Sequence, residues 1–206
     1  MIKLYHHPFT RAAGVVWALE EVGEPYELVF TDIMKGAHKS GDVIAQNSMG
    51  KLPVLVDGDA TVSESAAIDL YLADRYALGR LAPPTDDPRR GSYFRWSLFA
   101  PSVIEPGSMA KAGNWEFRPS NAGWGDFETM LQTIEGAVSN GNFLLGDMFS
   151  MADVIFGGTL RFMLRFKMMT ATAAVQAYVD RLEARPALQR ADAKNAAIVA
   201  ERGLAT

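Results

Sequence analysis

The chain has 206 residues, 49% of them hydrophobic, no cysteine and a formal charge of −4, enough for one large or two small domains with a real core. The lack of cysteine excludes a disulfide framework and a protein thiol nucleophile, so any thiol chemistry must come from a ligand and the expected compartment is the cytoplasm. Residues 1–78 hold six Lys and Arg against eleven Asp and Glu, and residues 79–206 hold fourteen against thirteen, which argues against a phosphate-neutralising nucleic-acid surface; no leader-like pattern or membrane-spanning apolar run is read.

"IKLY" (2–5) reads as a strand, "TRAAGVVWALEEVG" (10–23) as a helix closed by Gly23, and "YELVFTDI" (26–33) as a second strand. After a further helical stretch, "LPVLVD", the turn "DGD" and "ATVS" (52–63) make an antiparallel pair. "ESAAIDLYLADRY" (64–76) then puts Ala67, Ile68, Tyr71, Leu72 and Tyr76 near one helical face. The order is β-α-β-α-β-β-α, an α/β unit with a mixed sheet. "LGRLAPPTDDPRRG" (78–91) is a connector, dense in Pro, Gly and charge. The expected domains are 1–78 and an all-helical 89–206, with 79–88 as linker. Helices are expected over 89–112, 126–139, 151–165, 172–183 and 187–200. "FSMADV" carries a capping-box variant, Ser150 with Asp153, and Phe149 with Val154 forms a candidate hydrophobic staple.

Two places in the first domain have patterns that suit a ligand. Pro53 cannot donate to a ladder, so it marks an edge or a strand start; a cis bond there would expose the Leu52 backbone to an extended peptide lying alongside. An edge-strand proline with no further role explains the spacing equally well. At Glu64-Ser65 a helix begins, and its free N–H groups and dipole attract an anion while Glu64 can take an ammonium, a pairing suited to an α-amino-acid end. The alternative is that Ser63 caps the helix and Glu64 complements its dipole. His6 and His7 are no metal pair, since strand neighbours point to opposite faces and no third ligand has suitable spacing; no metal is expected.

The order of a proline in an apolar strand, a DG turn and then "ESAAIDLYLADRY" resembles the N-terminal thioredoxin-like domain of glutathione S-transferases, and the helical remainder resembles their second domain. Residues 35–76 resemble theta-class and theta-like bacterial members. The resemblance implies that Glu64 and Ser65 hold the γ-glutamyl end of glutathione, that Leu52 before a cis Pro53 pairs with the cysteinyl backbone, and that His38, with Lys51, faces the glycyl carboxylate. Thr10 aligns with the serine of theta-like members and is the expected thiolate stabiliser; it keeps the hydroxyl donor and adds a methyl group. Tyr5 and Arg11 are the alternatives. Phe9, Phe99, Met109 and Trp115, with Phe94, are candidates for the electrophile pocket. The implied activity is attack of glutathione, as co-substrate rather than bound cofactor, on a small hydrophobic electrophile. A glutathione-dependent isomerase and a non-catalytic assembly module are the other readings. A homodimer is implied, with neither nucleic acid nor membrane as partner.

Overall fold

The computed structural model describes residues 1–205. The contacts divide the chain into two compact units: Met1–Ala77 together with Arg185 onward, and Leu78–Ala184.

The first unit opens with strand β1 (Ile2–His6), helix α1 (Ala12–Val22) and strand β2 (Tyr26–Phe30). The short helix α2 (Gly41–Gln46), strands β3 (Val54–Asp57) and β4 (Ala60–Ser63) and helix α3 (Ser65–Tyr76) follow. The sheet order is β2-β1-β3-β4; β1 runs parallel to β2 and antiparallel to β3, and β3 is antiparallel to β4. The β-α-β-α-β-β-α order read from the sequence is therefore the observed one. Gly23 closes α1 with φ 85, donating its N–H to Leu19 O, a left-handed cap that a side chain would strain. Val15, Val16, Trp17, Ala18 and Leu19 of α1 are all buried, because α3 and the last helix of the chain both pack on α1.

The second unit holds α4 (Arg90–Phe99), α5 (Glu105–Ala112), α6 (Phe127–Val138), α7 (Met151–Arg165) and α8 (Ala173–Glu183). The sequence predicts one helix over 89–112; a π-type stretch at Ala100–Ile104 divides it instead. Pro101 and Pro106 have no N–H to give to the ordinary i−4 acceptor, and the wider turn absorbs the break. At the start of α7, Asp153 accepts from the N–H of Ser150 at 2.9 Å, so the expected capping box forms. The Phe149 ring meets Phe143 edge-on at 5.3 Å.

The last helix, α9 (Pro186–Arg202), departs from the expected division, since it groups with the first unit. Ala187, Leu188 and Ala191 of α9 are buried where it packs on α1, and ion pairs add to that apolar contact. Glu20 and Glu21 sit in the last turn of α1, where the helix dipole disfavours negative charge. Arg185 forks onto Glu21 at 2.6 and 2.8 Å, and Arg190 and Lys194 reach Glu20 at 2.6 and 2.5 Å. Burial pushes the Glu20 carboxyl up, and the bonds from Lys194, Tyr26 and Arg190 outweigh it, bringing it down to about 2.

Candidate functional site

The register gathers the candidate residues at one end of the sheet. Tyr5 lies opposite Val54, and Val54 opposite Ser63. The carboxyl end of β1, the start of β3 and the end of β4 therefore share an edge, carrying with them the loop after β1, the Leu52–Pro53 peptide and the start of α3. The β2 end lies there too, because His6 pairs with Phe30 and Thr31 N–H donates to His6 O at 2.8 Å.

β4 ends at Ser63 and α3 begins at Ser65, so Glu64 alone turns the chain from strand to helix. It does so with φ 68 and ψ 119, and its side chain is exposed. A non-glycine residue held there costs about 1–3 kcal/mol, a strain that clusters at functional sites. No side chain caps the helix among the described residues, so the capping role considered for Ser63 is not observed. The first helical bond runs from Ile68 N–H to Glu64 O at 2.9 Å, leaving the N–H groups of Ser65, Ala66 and Ala67 outside the α-helical ladder. Across from this helix start, the Leu52–Pro53 bond is cis. Leu52 stands before β3, and its N–H and C=O have no backbone partner among the described residues.

Lys51 is exposed and is placed by Asn47, a residue the sequence reading did not single out. Asn47 is 8% exposed; its Nδ2 donates to Lys51 O at 3.0 Å, its Oδ1 accepts from Met49 N–H at 3.1 Å and its carbonyl accepts from Gly50 N–H at 2.7 Å. Gly50 has φ 56, and a Cβ there would lie 2.9 Å from the Lys39 side chain and 3.0 Å from His38 O. Only glycine lets the two segments touch, which brings His38, in a 3₁₀ turn at Ala37–Lys39, against the strap carrying Lys51. Lys39 adds a second lysine beside Lys51, its Nζ donating to Met49 O at 3.0 Å. His38 is half-buried, and its Nδ1 is buried with no partner among the described residues. The short spacing from Asn47 to the glycine was the available signal for this turn.

Thr10 lies two residues before α1. Its hydroxyl accepts from Ala12 N–H at 3.2 Å and donates to His7 O at 2.8 Å, so it caps the first turn of α1 in part while remaining half-buried. Arg11, also half-buried, has a helical φ of −60. Tyr5 sits in the middle of the sheet, opposite both Val29 and Val54. β1 ends at His6, so His7 already belongs to the following loop, and the two rings find different partners. His6 Nε2 bonds Asn195 Oδ1 of α9 at 2.7 Å, and the His7 ring packs against Phe30 with centroids 5.4 Å apart. Among the described residues, no three His, Asp or Glu side chains could hold a metal ion.

Of the side chains considered for an electrophile, Phe9 is 41% exposed beside Thr10. Phe99 belongs to an aromatic cluster of the helical unit with Trp96 and Phe156. Met109 and Phe94 are exposed. Trp115 lines an open groove of about 310 Å³ with Lys111, Phe117, Trp124 and Phe127. Phe94, Phe99 and Met109 are not among the walls of that groove.

A mixed four-stranded sheet, a cis-proline strand start facing an uncapped helix and an all-helical unit in the same chain together define a thioredoxin-like protein with a helical extension. Two family models match it: "Glutathione S-transferase, N-terminal domain" over residues 1–74 and "Glutathione S-transferase, C-terminal domain" over residues 118–191. The chain belongs to the glutathione S-transferase family. It is 29% identical over 206 residues to glutathione S-transferase 3 of Zea mays, covering 92% of each chain. It superposes on glutathione transferase URE2P6 of Phanerochaete chrysosporium, solved in complex with oxidized glutathione, with a TM-score of 0.80 and 26% identity, covering 96% of this chain and 97% of that one. Human glutathione S-transferase theta-2 is 50% identical, but over 54 residues, 26% of this chain and 22% of its own length. The family holds along most of the chain, whereas the theta likeness is local.

Proposed function

We propose that this protein is a glutathione transferase in which bound glutathione is ionised and its thiolate attacks the carbon of a small hydrophobic electrophile. The observation that carries the reading is the start of α3: a strained Glu64 and an uncapped helix end facing the peptide at Leu52. In this reading the γ-glutamyl carboxylate lies on the N–H groups of the first turn and on the Ser65 hydroxyl, while Glu64 takes the ammonium. The Leu52 backbone pairs with the cysteinyl residue as an added strand. His38 and Lys51 take the glycyl carboxylate.

Thr10 is the catalytic residue proposed for the thiol. Its hydroxyl proton goes to His7 O, a neutral acceptor. A thiolate competes well for that proton, because a bond to a charged acceptor is about twice as strong as a neutral one. The hydroxyl keeps the Ala12 N–H as donor to its other side, which strengthens it as a donor in turn. The S–H bond gives its proton to solvent, the sulfur forms a bond to carbon, and the leaving group departs with its electron pair. Phe9, exposed beside Thr10, offers an apolar wall to the electrophile.

The test is titration of the thiolate absorbance of bound glutathione, which is free of protein thiol signal because the chain has no cysteine. The bound thiol is expected to ionise below its ordinary value of about 8.5, and a Thr10→Val variant is expected to bind glutathione without that shift. Binding with no shift in the parent protein would point to a carrier rather than an enzyme. A homodimer in the cytoplasm is part of the proposal; light scattering that shows a monomer at micromolar concentration would remove the dimer.

A further inference from the structure

We infer that His7 is a positioning residue, holding the Thr10 hydroxyl through the loop that its own ring and carbonyl tie together. This rests on the reading of Thr10 as the thiolate's partner. Residue 8 is proline and has no N–H, so the only backbone donors between His7 and Arg11 belong to Phe9 and Thr10, and both end on His7. Phe9 N–H donates to His7 Nδ1 at 3.1 Å, and Thr10 N–H donates to His7 O at 3.1 Å. The Thr10 hydroxyl adds a third bond, to the same carbonyl, at 2.8 Å. One residue thus sets the path of the loop that carries the Thr10 side chain, and its two backbone-donated bonds stay in place when the hydroxyl turns from the carbonyl to the thiolate.

The ring is held as firmly as the loop. His7 is fully buried, with its centroid 5.4 Å from both Phe9 and Phe30. Because Nδ1 accepts, the neutral ring carries its proton on Nε2, and Nε2 is buried with no partner among the described residues. A core position that leaves a donor unmet would be served better by leucine or phenylalanine if packing were the ring's only task. The Nδ1 acceptor is what those residues could not supply.

The arrangement requires the neutral ring. A proton on Nδ1 turns the acceptor into a donor and breaks the bond from Phe9. The groups facing His7 are Asp32 and His38 in the segment after β2, with His6 beside it on β1. Burial lowers the His7 pKa, Asp32 opposes it and His38 adds to it, with a net shift below the ordinary histidine value. The loop is therefore intact at neutral pH and is undone on the acid side.

The test uses the whole protein with three substitutions. His7→Phe keeps a flat ring for Phe9 and Phe30 and removes the acceptor. His7→Asn keeps an acceptor that can reach the N–H two residues on, as Asx turns do, and does not titrate. Thr10→Val supplies the background. His7→Phe is expected to move the bound thiol pKa back toward its solution value and lower kcat by about tenfold, the scale of a misplaced donor, with KM for glutathione changed far less. His7→Asn is expected to restore both and to remove one proton from the acid limb of the rate profile. In Thr10→Val, His7→Phe should add nothing. A thiol shift lost in Thr10→Val but intact in His7→Phe overturns the positioning role and spares Thr10. An unchanged shift in Thr10→Val overturns the Thr10 reading and this inference with it. Should His7→Phe not fold, an acid limb in His7→Asn identical to that of the parent overturns the inference.

Discussion

The starts of α3 and α7 are the same problem solved in opposite ways. Each helix leaves its first N–H groups without α-helical partners. At α7 the chain enters from Ser150 in ordinary extended backbone, φ −144, and Asp153 collects the Ser150 N–H and hydroxyl, the Leu144 N–H and the Tyr178 hydroxyl at 2.9–3.1 Å. Both Ser150 and Asp153 are fully buried. At α3 the chain enters through an exposed residue at φ 68, and no side chain caps the end. The first end is closed by the protein and stabilises it; the second is left open at the surface under strain, where water or, on the proposed reading, glutathione meets its N–H groups.

The sharpest way to test the contrast is to open the closed end. Asp153→Ala strands the Tyr178 hydroxyl and two N–H groups in a dry core. The expected loss is about 3–5 kcal/mol of unfolding free energy, read by urea denaturation. The thiol pKa of bound glutathione should not change in whatever fraction remains folded. A loss below about 1 kcal/mol would show that the α7 end is no more structural than the α3 end.

A slightly smaller effect separates the two regions by pH. His6 is fully buried in β1, and burial lowers its pKa to about 4 against the partial support of Asn195, with His7 lowering it further. Between 6.5 and about 4 the unfolded chain takes up a proton that the folded one refuses, so stability falls as pH falls through that window. The full contribution is on the order of 3 kcal/mol at 1.36 kcal/mol per unit. Glu20, lowered to about 2, works in a separate window: its stabilisation is complete above its ordinary value of 4.5 and is lost only as pH drops below that. A comparison of unfolding free energies at pH 7 and pH 5 for the parent and His6→Leu isolates the histidine. An equal pH dependence in the two proteins would show that His6 is not the group responsible.

What the sequence made legible follows from how local each cause is. Gly23, the DG turn, the Ser150 box and the alternating strands act within a few residues, and the order of elements in the first unit and the ends of α6, α7 and α8 were readable from them. The assignment of α9 was not, because the helix α1 that it packs on, with the Glu20 and Glu21 that Arg185, Arg190 and Lys194 reach, lies more than 160 residues back along the chain. Two acids at the wrong end of a helix dipole were nevertheless a visible signal that distant cations were needed. Pro101 and Pro106 gave a similar warning about the helix over 89–112. Asn47 and His7 stayed hidden for another reason. Their importance lies in which ring or amide atom meets which N–H, and residue type alone does not specify that. The residue pattern marked Leu52, Glu64 and Ser65 as suited to a ligand but left a plain structural role open for each; the family resemblance chose between the two and added Thr10.

The smallest effect bears most directly on why the α3 end is strained. Glu64→Gly should relieve the left-handed backbone, and after subtracting the greater freedom of glycine in the unfolded chain a gain of about 1 kcal/mol is expected. Glu64→Ala removes the same carboxylate but keeps a Cβ, so it should gain nothing. Both should weaken glutathione binding by roughly tenfold if the carboxylate takes the ammonium, the scale of one charge-assisted bond. Urea denaturation and calorimetric titration of the two variants therefore separate backbone from side chain. A more stable Gly variant with full affinity would mean that the strain serves the turn alone. Higher stability with weaker binding would mean that the protein gives up stability at this residue to hold its ligand, where the α7 end stabilises the fold instead.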